Sequence, residues 1–258
     1  MKQTWVDKLF TSGIYRQVWT ENPDYLIGSE QSLLEVDQIL ALLKPKPRSH
    51  ILDWCGGYGR HAIELARRGY DVTLLDYVPS HLREARECAE KQGVKIKNYI
   101  KSDFRQTPRD IQADYAINIF TSGIGYYSEA DDIKALKSLR AALKKEAKIV
   151  IETIYLSWLI RHFQKTDWRR SVDGSFYLLE DRSFDFKTDT VKVQNTVLGP
   201  KYKKHEFVSS NLIYSAEHLC RVLTAAGFEP LYIFGGLDQS PLSFDSKRLV
   251  VVARSTKR

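Results

Sequence analysis

Residues 50 to 62 read His50-Ile51-Leu52-Asp53-Trp54-Cys55-Gly56-Gly57-Tyr58-Gly59-Arg60-His61-Ala62, an apolar strand that runs into a glycine-rich turn and opens a helix. The next apolar run, Tyr70 to Asp76, ends on a carboxylate. If both strands belong to one parallel sheet, Asp76 stands where a nucleotide ribose lies. Gly57, Gly59 and Ala62 fit the pattern G-x-G-x-x-A, and Asp76 follows at roughly the 20-residue spacing of a residue that binds ribose hydroxyls. Read alone, the turn suits a nicotinamide dinucleotide. Asp53 argues against that reading, because a carboxylate just before the turn is a poor neighbour for a pyrophosphate, which prefers helix-end amides and cations. A zwitterionic amino-acid ligand suits it better. Its ammonium group meets backbone carbonyls near Asp53, and its carboxylate meets the amides around Gly59 and Arg60.

At this point the sequence resembles the class I methyltransferases that use S-adenosylmethionine. Their glycine-rich motif, D-x-G-x-G-x-G, is matched by Asp53, Cys55, Gly57 and Gly59. Cys55 replaces one glycine and is accommodated if its φ is negative. The resemblance places the family's ribose-binding acid on Asp76, with Tyr77 beside it. Its adenine-binding element falls on Ser102-Asp103-Phe104, where a carboxylate accepts from the exocyclic amine and the Phe104 ring packs alongside. Further features carry the resemblance over nearly the whole chain and toward a small-molecule subgroup: Asp24-Tyr25-Leu26, Gly59-Arg60-His61, Phe120-Thr121-Ser122-Gly123-Ile124-Gly125-Tyr126-Tyr127, and Asp245-Ser246-Lys247-Arg248-Leu249. It implies that Tyr25 closes over S-adenosylmethionine and that Phe120 joins the cofactor set.

Composition sets limits around this reading. With 258 residues, 43% of them hydrophobic, the chain can bury a full core as one α/β domain with an insertion, or at most two small domains. Met1 to Phe10 lacks the apolar core of a secretion signal, and no run approaches the ~18 apolar residues of a membrane span. A cytoplasmic protein without a membrane partner is expected. Cys55, Cys88 and Cys220 show neither C-x-x-C spacing nor an even count, so buried free thiols are expected in place of disulfides or a zinc site. The net charge of +7 is spread over short basic groups such as Lys144-Lys145 and Lys201 to Lys204. Nothing in that distribution makes the continuous basic stripe of a nucleic-acid partner.

Helix and strand alternate along the first part of the chain. Leu33, Val36, Ile39, Leu40 and Leu43 mark a helix that Pro45 and Pro47 end. The strand at Ile51 to Trp54 is followed by a helix from about Gly59 to Arg68, with Gly69 as its stop. Later strands are expected at Lys97 to Ile100, Tyr115 to Phe120 and Lys148 to Thr153, with helices between them. Past Thr153 the pattern changes to three strand-like runs, Phe176 to Phe186, Val191 to Leu198 and His205 to Ile213. Ser215 caps a last helix, and two final strands follow at Leu231 to Phe234 and Arg248 to Ala253. The expected fold is α/β: a doubly wound, Rossmann-like, seven-stranded, mostly parallel sheet with an antiparallel terminal strand pair and an inserted antiparallel β meander. Residues 1–48 are read as a helical lid, 49–167 and 214–258 as the cofactor-binding core, and 168–213 as the insertion over the active site.

The implied reaction is methyl transfer to a nitrogen or oxygen of a small organic molecule by in-line displacement, which requires placement and exclusion of water but no metal. His61 and Tyr126 are the candidate catalytic residues, as groups able to take a proton from the acceptor. His162 and His205 have comparable claims from the covering segment. Tyr127, Trp158, Arg161 and Trp168 are candidates for the acceptor pocket, with Arg161 attracting a carboxylate. Two alternatives stand beside this reading: the same cofactor used for cyclisation, and a noncatalytic cofactor-binding protein.

Overall fold

The apolar stretch ahead of the glycine turn sits at the centre of the molecule, in a computed structural model that describes residues 5–11, 26–200 and 204–256. All five residues of β1, His50–Trp54, are buried. Ile51 and Leu52 are fully buried on opposite faces, as a central strand of a sheet covered on both sides requires. Around β1 the sheet is completed by β2 (Asp71–Asp76), β3 (Asn98–Lys101), β4 (Ala113–Asn118) and β5 (Leu143–Ile154). Beyond the second sheet described below come β10 (Phe228–Phe234) and β11 (Arg248–Ser255), and the seven strands are ordered β10-β11-β5-β4-β1-β2-β3. Strands β1 to β5 pair in parallel, and β11 runs antiparallel to both β5 and β10. The seven-stranded mixed sheet with its antiparallel end is the one read from the sequence.

Helices α2 (Glu30–Leu43), α3 (Arg60–Arg67) and α4 (Pro79–Lys91) cover one face, burying Val36, Ile39, Ile63 and Ala85 against Ile51, Leu74, Ile117 and Val250. Helices α5 (Glu129–Ala141) and α7 (Ala216–Ala225) cover the other, setting Leu136, Leu139, Leu219 and Val222 against Leu52, Ile149 and Val251. Each such Leu, Ile or Val side chain contributes roughly 1.5–3 kcal/mol on burial. Caps fix where the helices begin: the Ser29 hydroxyl accepts from the Ser32 amide, and Ser128 with Asp131 forms a capping box. After β1 the chain builds β2 and β3 on one side, then returns to β4 on the other. The crevice at the carboxyl ends of β1 and β4 is therefore a topological switch point, the place where open α/β sheets bind ligands.

A second sheet of four antiparallel strands lies between α6 (Leu156–Arg161) and α7: β6 (Thr166–Arg170), β7 (Tyr177–Asp185), β8 (Thr190–Leu198) and β9 (His205–Leu212). Three of these match the expected meander. β6 went unread because Thr166-Asp167-Trp168-Arg169-Arg170 has no apolar alternation; it is an edge strand whose Asp167 accepts a hydrogen bond from Arg182 of β7 at 2.6 Å. Helix α1 (Trp5–Thr11) docks on the inner face of this sheet, with Leu9 packed on Phe176, Leu178, Val197 and Phe207. The second sheet is joined to the loop after β4 by the Leu212 amide, which donates to the Gly125 carbonyl at 2.8 Å. A Cβ on Gly125 would stand 2.3 Å from the Leu212 carbonyl oxygen, so this junction admits only glycine. Among the described residues no helix is long and apolar enough to cross a membrane.

Candidate active site

A cleft opens at the switch point, floored by Cys55, Gly57 and Asp76 and roofed by Val6 and Phe10 of α1. The Asp76 carboxylate is aimed by two backbone donors: the Gly57 amide on Oδ2 at 2.9 Å and the Val78 amide on Oδ1 at 2.8 Å. One donor comes from the glycine turn and the other from the start of α4, so sequence-distant Asp53-to-Ala62 and Asp76 form one local structure. Each Asp76 oxygen keeps a lone pair for a ligand hydroxyl. Tyr77 lines the cleft next to it.

Asp103 and Phe104 form the adjoining wall. Burial acts to raise the Asp103 carboxyl, but the Arg105 hydrogen bonds and charge outweigh it and hold the group below its ordinary value. Arg105 reaches Asp103 at 2.7 Å, lies 4.2 Å over the Tyr127 ring and approaches Asp131 at 3.3 Å. Phe104 stacks on Tyr127 at 6.0 Å. Its turn is held from below, where the Trp54 indole donates to the Thr107 hydroxyl at 2.9 Å. Tyr126 and Tyr127 close the far side, and Tyr126 packs against Trp5 and Phe10 of α1.

Cys55 departs from expectation: its φ is +63, in the left-handed region. The cause is the next amide, Gly56, which donates across to the Leu75 carbonyl of β2 at 3.1 Å and forces the chain to turn sharply at Cys55. A Cβ on Gly56 would lie 2.4 Å from Cγ of Asp53, so the turn has no room for a side chain there. Burial pushes the Cys55 thiol well up, and the charges of Asp76, Asp53 and Asp103 add to it. Asp53 itself lies beneath the cleft, 2% exposed, where burial raises its carboxyl to about 7 against the attraction of Arg60 and a backbone hydrogen bond from Ala62. It anchors the first turn of α3. The Gly59 amide donates to the Gly56 carbonyl at 2.9 Å, so it is engaged within the turn and does not point to a ligand.

The remaining candidates lie elsewhere. His61 is buried under α2, its Nε2 2.7 Å from Glu35, and it does not line the cleft. Burial and the Arg60 charge lower its pKa to about 4, outweighing Glu35. Its ring faces α2 because the first turn of an amphipathic helix directs His61 and Ala62 inward. Phe120 sits behind the loop after β4, between the guanidinium groups of Arg60 at 5.7 Å and Arg248 at 4.9 Å. Its φ of +70 and that of Thr121, +56, are held by the Phe120 amide on Glu152 at 2.6 Å and the Thr121 amide on the Glu152 carbonyl at 3.0 Å. Trp158 is flanked by His162 and Lys247, Arg161 pairs with Asp245 at 2.8 Å, and Trp168 stands 64% exposed on β6. None of the three lines the cleft. Tyr25 lies outside the described residues.

Sequence reading missed His81, which lines the cleft 2% exposed, and Arg105, which orders Asp103 and Tyr127. The position of His81 in the first turn after the Asp76 carboxylate was the available signal. For Arg105 there was none, since its contacts depend on where Tyr127 returns in space.

Comparison with known proteins accords with this geometry. Residues 51–146 match the methyltransferase domain family. The glycine/sarcosine N-methyltransferase of Aphanothece halophytica is 30% identical over 141 residues, 54% of this chain and 53% of that protein. The chain thus spans about half the length of the glycine/sarcosine methyltransferases it matches. The CcbJ methyltransferase of Streptomyces caelestis superposes with a TM-score of 0.75 at 16% identity, over 94% of this chain and 98% of that one. The S-adenosylmethionine-bound amino pentose methyltransferase CalS10 of Micromonospora echinaspora gives 0.64 at 20% identity, over 95% and 96%. The chain has the class I S-adenosylmethionine-dependent methyltransferase fold, a cofactor-binding fold.

Proposed function

We propose that this chain transfers the methyl group of S-adenosylmethionine to a nitrogen or oxygen of a small organic molecule. The observation that carries the reading is Asp76, oriented by the Gly57 and Val78 amides in a cleft that also holds Asp103, Phe104, Tyr126 and Tyr127. The cleft fits the cofactor: it offers carboxylate acceptors for a diol and for an exocyclic amine, an aromatic wall for a purine, and imidazole nitrogens at His81 that hydrogen-bond to none of the described residues. When bound, S-adenosylmethionine supplies a sulfonium methyl already activated for displacement.

What the protein adds is placement. Asp76 and Asp103 fix the nucleoside from two sides. The Asp76 carboxylate on the cleft floor suits a cationic ligand better than a pyrophosphate, which disfavours the dinucleotide alternative. Tyr126, wedged between the cleft and the α1 aromatics, is the group we assign to orient the acceptor and accept or relay its proton. Val6 and Phe10 of α1 roof the cleft and, in this reading, limit water at the reacting atoms. His61, held by Glu35, supports α3 and takes no proton from the acceptor. The amine substrates named for the glycine/sarcosine and amino pentose enzymes weigh toward nitrogen as the acceptor atom.

The test is product identification by mass spectrometry after incubation with S-adenosylmethionine and a set of small amines and alcohols. S-adenosylhomocysteine and an acceptor heavier by one methyl are expected. Methylthioadenosine as product would mean cyclisation or a related reaction, and would replace the proposal.

A further inference from the structure

Of the histidines, His81 is the one that lines the cleft. It stands in the first turn of α4, and its ring is gripped by Tyr58 at 4.1 Å and by the edge-on Phe10 of α1 at 6.3 Å. Every protonation state of an imidazole carries at least one N–H donor, and a buried donor without an acceptor is costly. Yet neither ring nitrogen of His81 has a hydrogen-bond partner among the described residues. Nδ1 is 3.2 Å from Oδ1 of Asp76, close enough for attraction but off the line of a hydrogen bond.

The neighbouring carboxylate makes the arrangement specific. Asp76 spends one lone pair of each oxygen on a backbone amide, and its remaining capacity is acceptor-only. An imidazole beside it offers what the carboxylate lacks, a donor or a second kind of acceptor. Two adjacent hydroxyls, each both donor and acceptor, satisfy the pair together. Packing alone explains the ring contacts with Tyr58 and Phe10. It leaves unexplained why a ring with two polar atoms, and not an apolar side chain, fills that space.

We infer that His81 and Asp76 form a two-sided clamp on the ribose diol of S-adenosylmethionine, with Asp76 accepting from one hydroxyl and the His81 imidazole pairing with its neighbour. The assignment rests on the reading of the cleft given above. Because Phe10 leans on the same ring, the clamp also places the α1 roof over a ligand whose ribose holds His81 still.

Calorimetric titration of the full chain with S-adenosylhomocysteine and with its 2′-deoxy and 3′-deoxy analogues tests this, using wild type, His81→Leu and His81→Gln with apo melting temperatures recorded for each. Wild type is expected to bind both analogues more weakly than the parent, and the one that lacks the hydroxyl paired with His81 about tenfold so. His81→Leu then weakens the parent about tenfold while leaving that analogue within about twofold, and His81→Gln recovers part of the loss. If His81→Leu lowers affinity for all three ligands by one common factor, or for none, His81 is a packing residue and the clamp is overturned. If wild type binds no S-adenosylhomocysteine, the reading of the cleft itself fails, and the clamp with it. Should the variants not fold, the His81 nitrogen resonances of wild type decide: they shift differently with the parent and the weaker analogue if the clamp exists, and identically if it does not.

Discussion

The Tyr214 hydroxyl donates to Oδ2 of Asp132 at 2.6 Å, and the Gly125 amide donates to the same oxygen at 2.9 Å. Both side chains are fully buried, so the loop that carries Tyr126 and Tyr127 is pinned to the core through one carboxylate oxygen. The cleft wall therefore depends on a contact that never reaches the ligand.

Tyr214→Phe removes the hydroxyl and leaves Asp132 with one donor. A loss of about 1–3 kcal/mol in urea unfolding is expected, since a buried carboxyl acceptor loses a partner. Affinity for S-adenosylhomocysteine is expected to fall with it, as the Tyr127 side of the cleft loosens. Unchanged stability would show that the Gly125 amide alone holds the loop.

Asp132 also makes stability depend on pH. Burial raises its carboxyl from the ordinary 3.8 to about 7, against the Tyr214 and Gly125 hydrogen bonds. The native state binds this proton more tightly than the unfolded chain, so the contribution to stability is complete below about 4 and is lost as pH rises through about 7. Asp53, also raised to about 7, acts in the same window. Asp132→Asn removes only its own part: the melting temperature of wild type minus that of the variant is expected to fall between about pH 4 and 7. Parallel curves would contradict the assignment.

Glu35 joins α2 to α3 by accepting from Arg60 at 2.5 Å and meeting His61 at 2.7 Å. Burial acts to raise its carboxyl, but these partners outweigh burial and bring it to about 2. Glu35→Gln leaves the Arg60 charge poorly compensated in a nearly buried site, and a destabilisation of about 3 kcal/mol is expected. His61→Gln should leave the pH profile of methyl transfer in place. A lost basic limb in that profile would return His61 to a catalytic role.

Cys55 at φ +63 carries backbone strain of about 1 kcal/mol, which glycine would not. Cys55→Gly is expected to be at least as stable as wild type in urea, with cofactor affinity kept. Cys55→Val, whose branched side chain tolerates that conformation least, is expected to lose 2 kcal/mol or about that. Weaker binding by Cys55→Gly would mean that the thiol itself contacts the ligand.

The sheet was legible because periodicity and turn chemistry both point to it. Ile51-Leu52, buried to opposite faces, and Gly57 with its distant partner Asp76 announce a parallel core without any tertiary information. β6 was not legible, because its Asp167 and Arg169 are paired with Arg182 and Glu180 on the neighbouring strand and not stabilised by an apolar face of its own. The residues proposed to hold the cofactor lie in short segments after β1, β2 and β3, where a motif and its geometry coincide. Those expected to hold the acceptor come from elements whose placement depends on packing. Trp158, Arg161 and Trp168 looked suitable by type, yet they face Lys247, Asp245 and open surface. His61 misled for the opposite reason: adjacency to the glycine turn says nothing of which side of α3 it occupies.

Calorimetric titration with S-adenosylmethionine, comparing wild type with Asp76→Ala and using NAD as the competing ligand, bears most directly on the claim that this cleft is a methyl-donor site. Wild type is expected to bind S-adenosylmethionine, Asp76→Ala to bind it at least about tenfold more weakly through loss of a charge-assisted contact, and NAD not to bind. Wild type that fails to bind S-adenosylmethionine, or that prefers NAD, would contradict that claim.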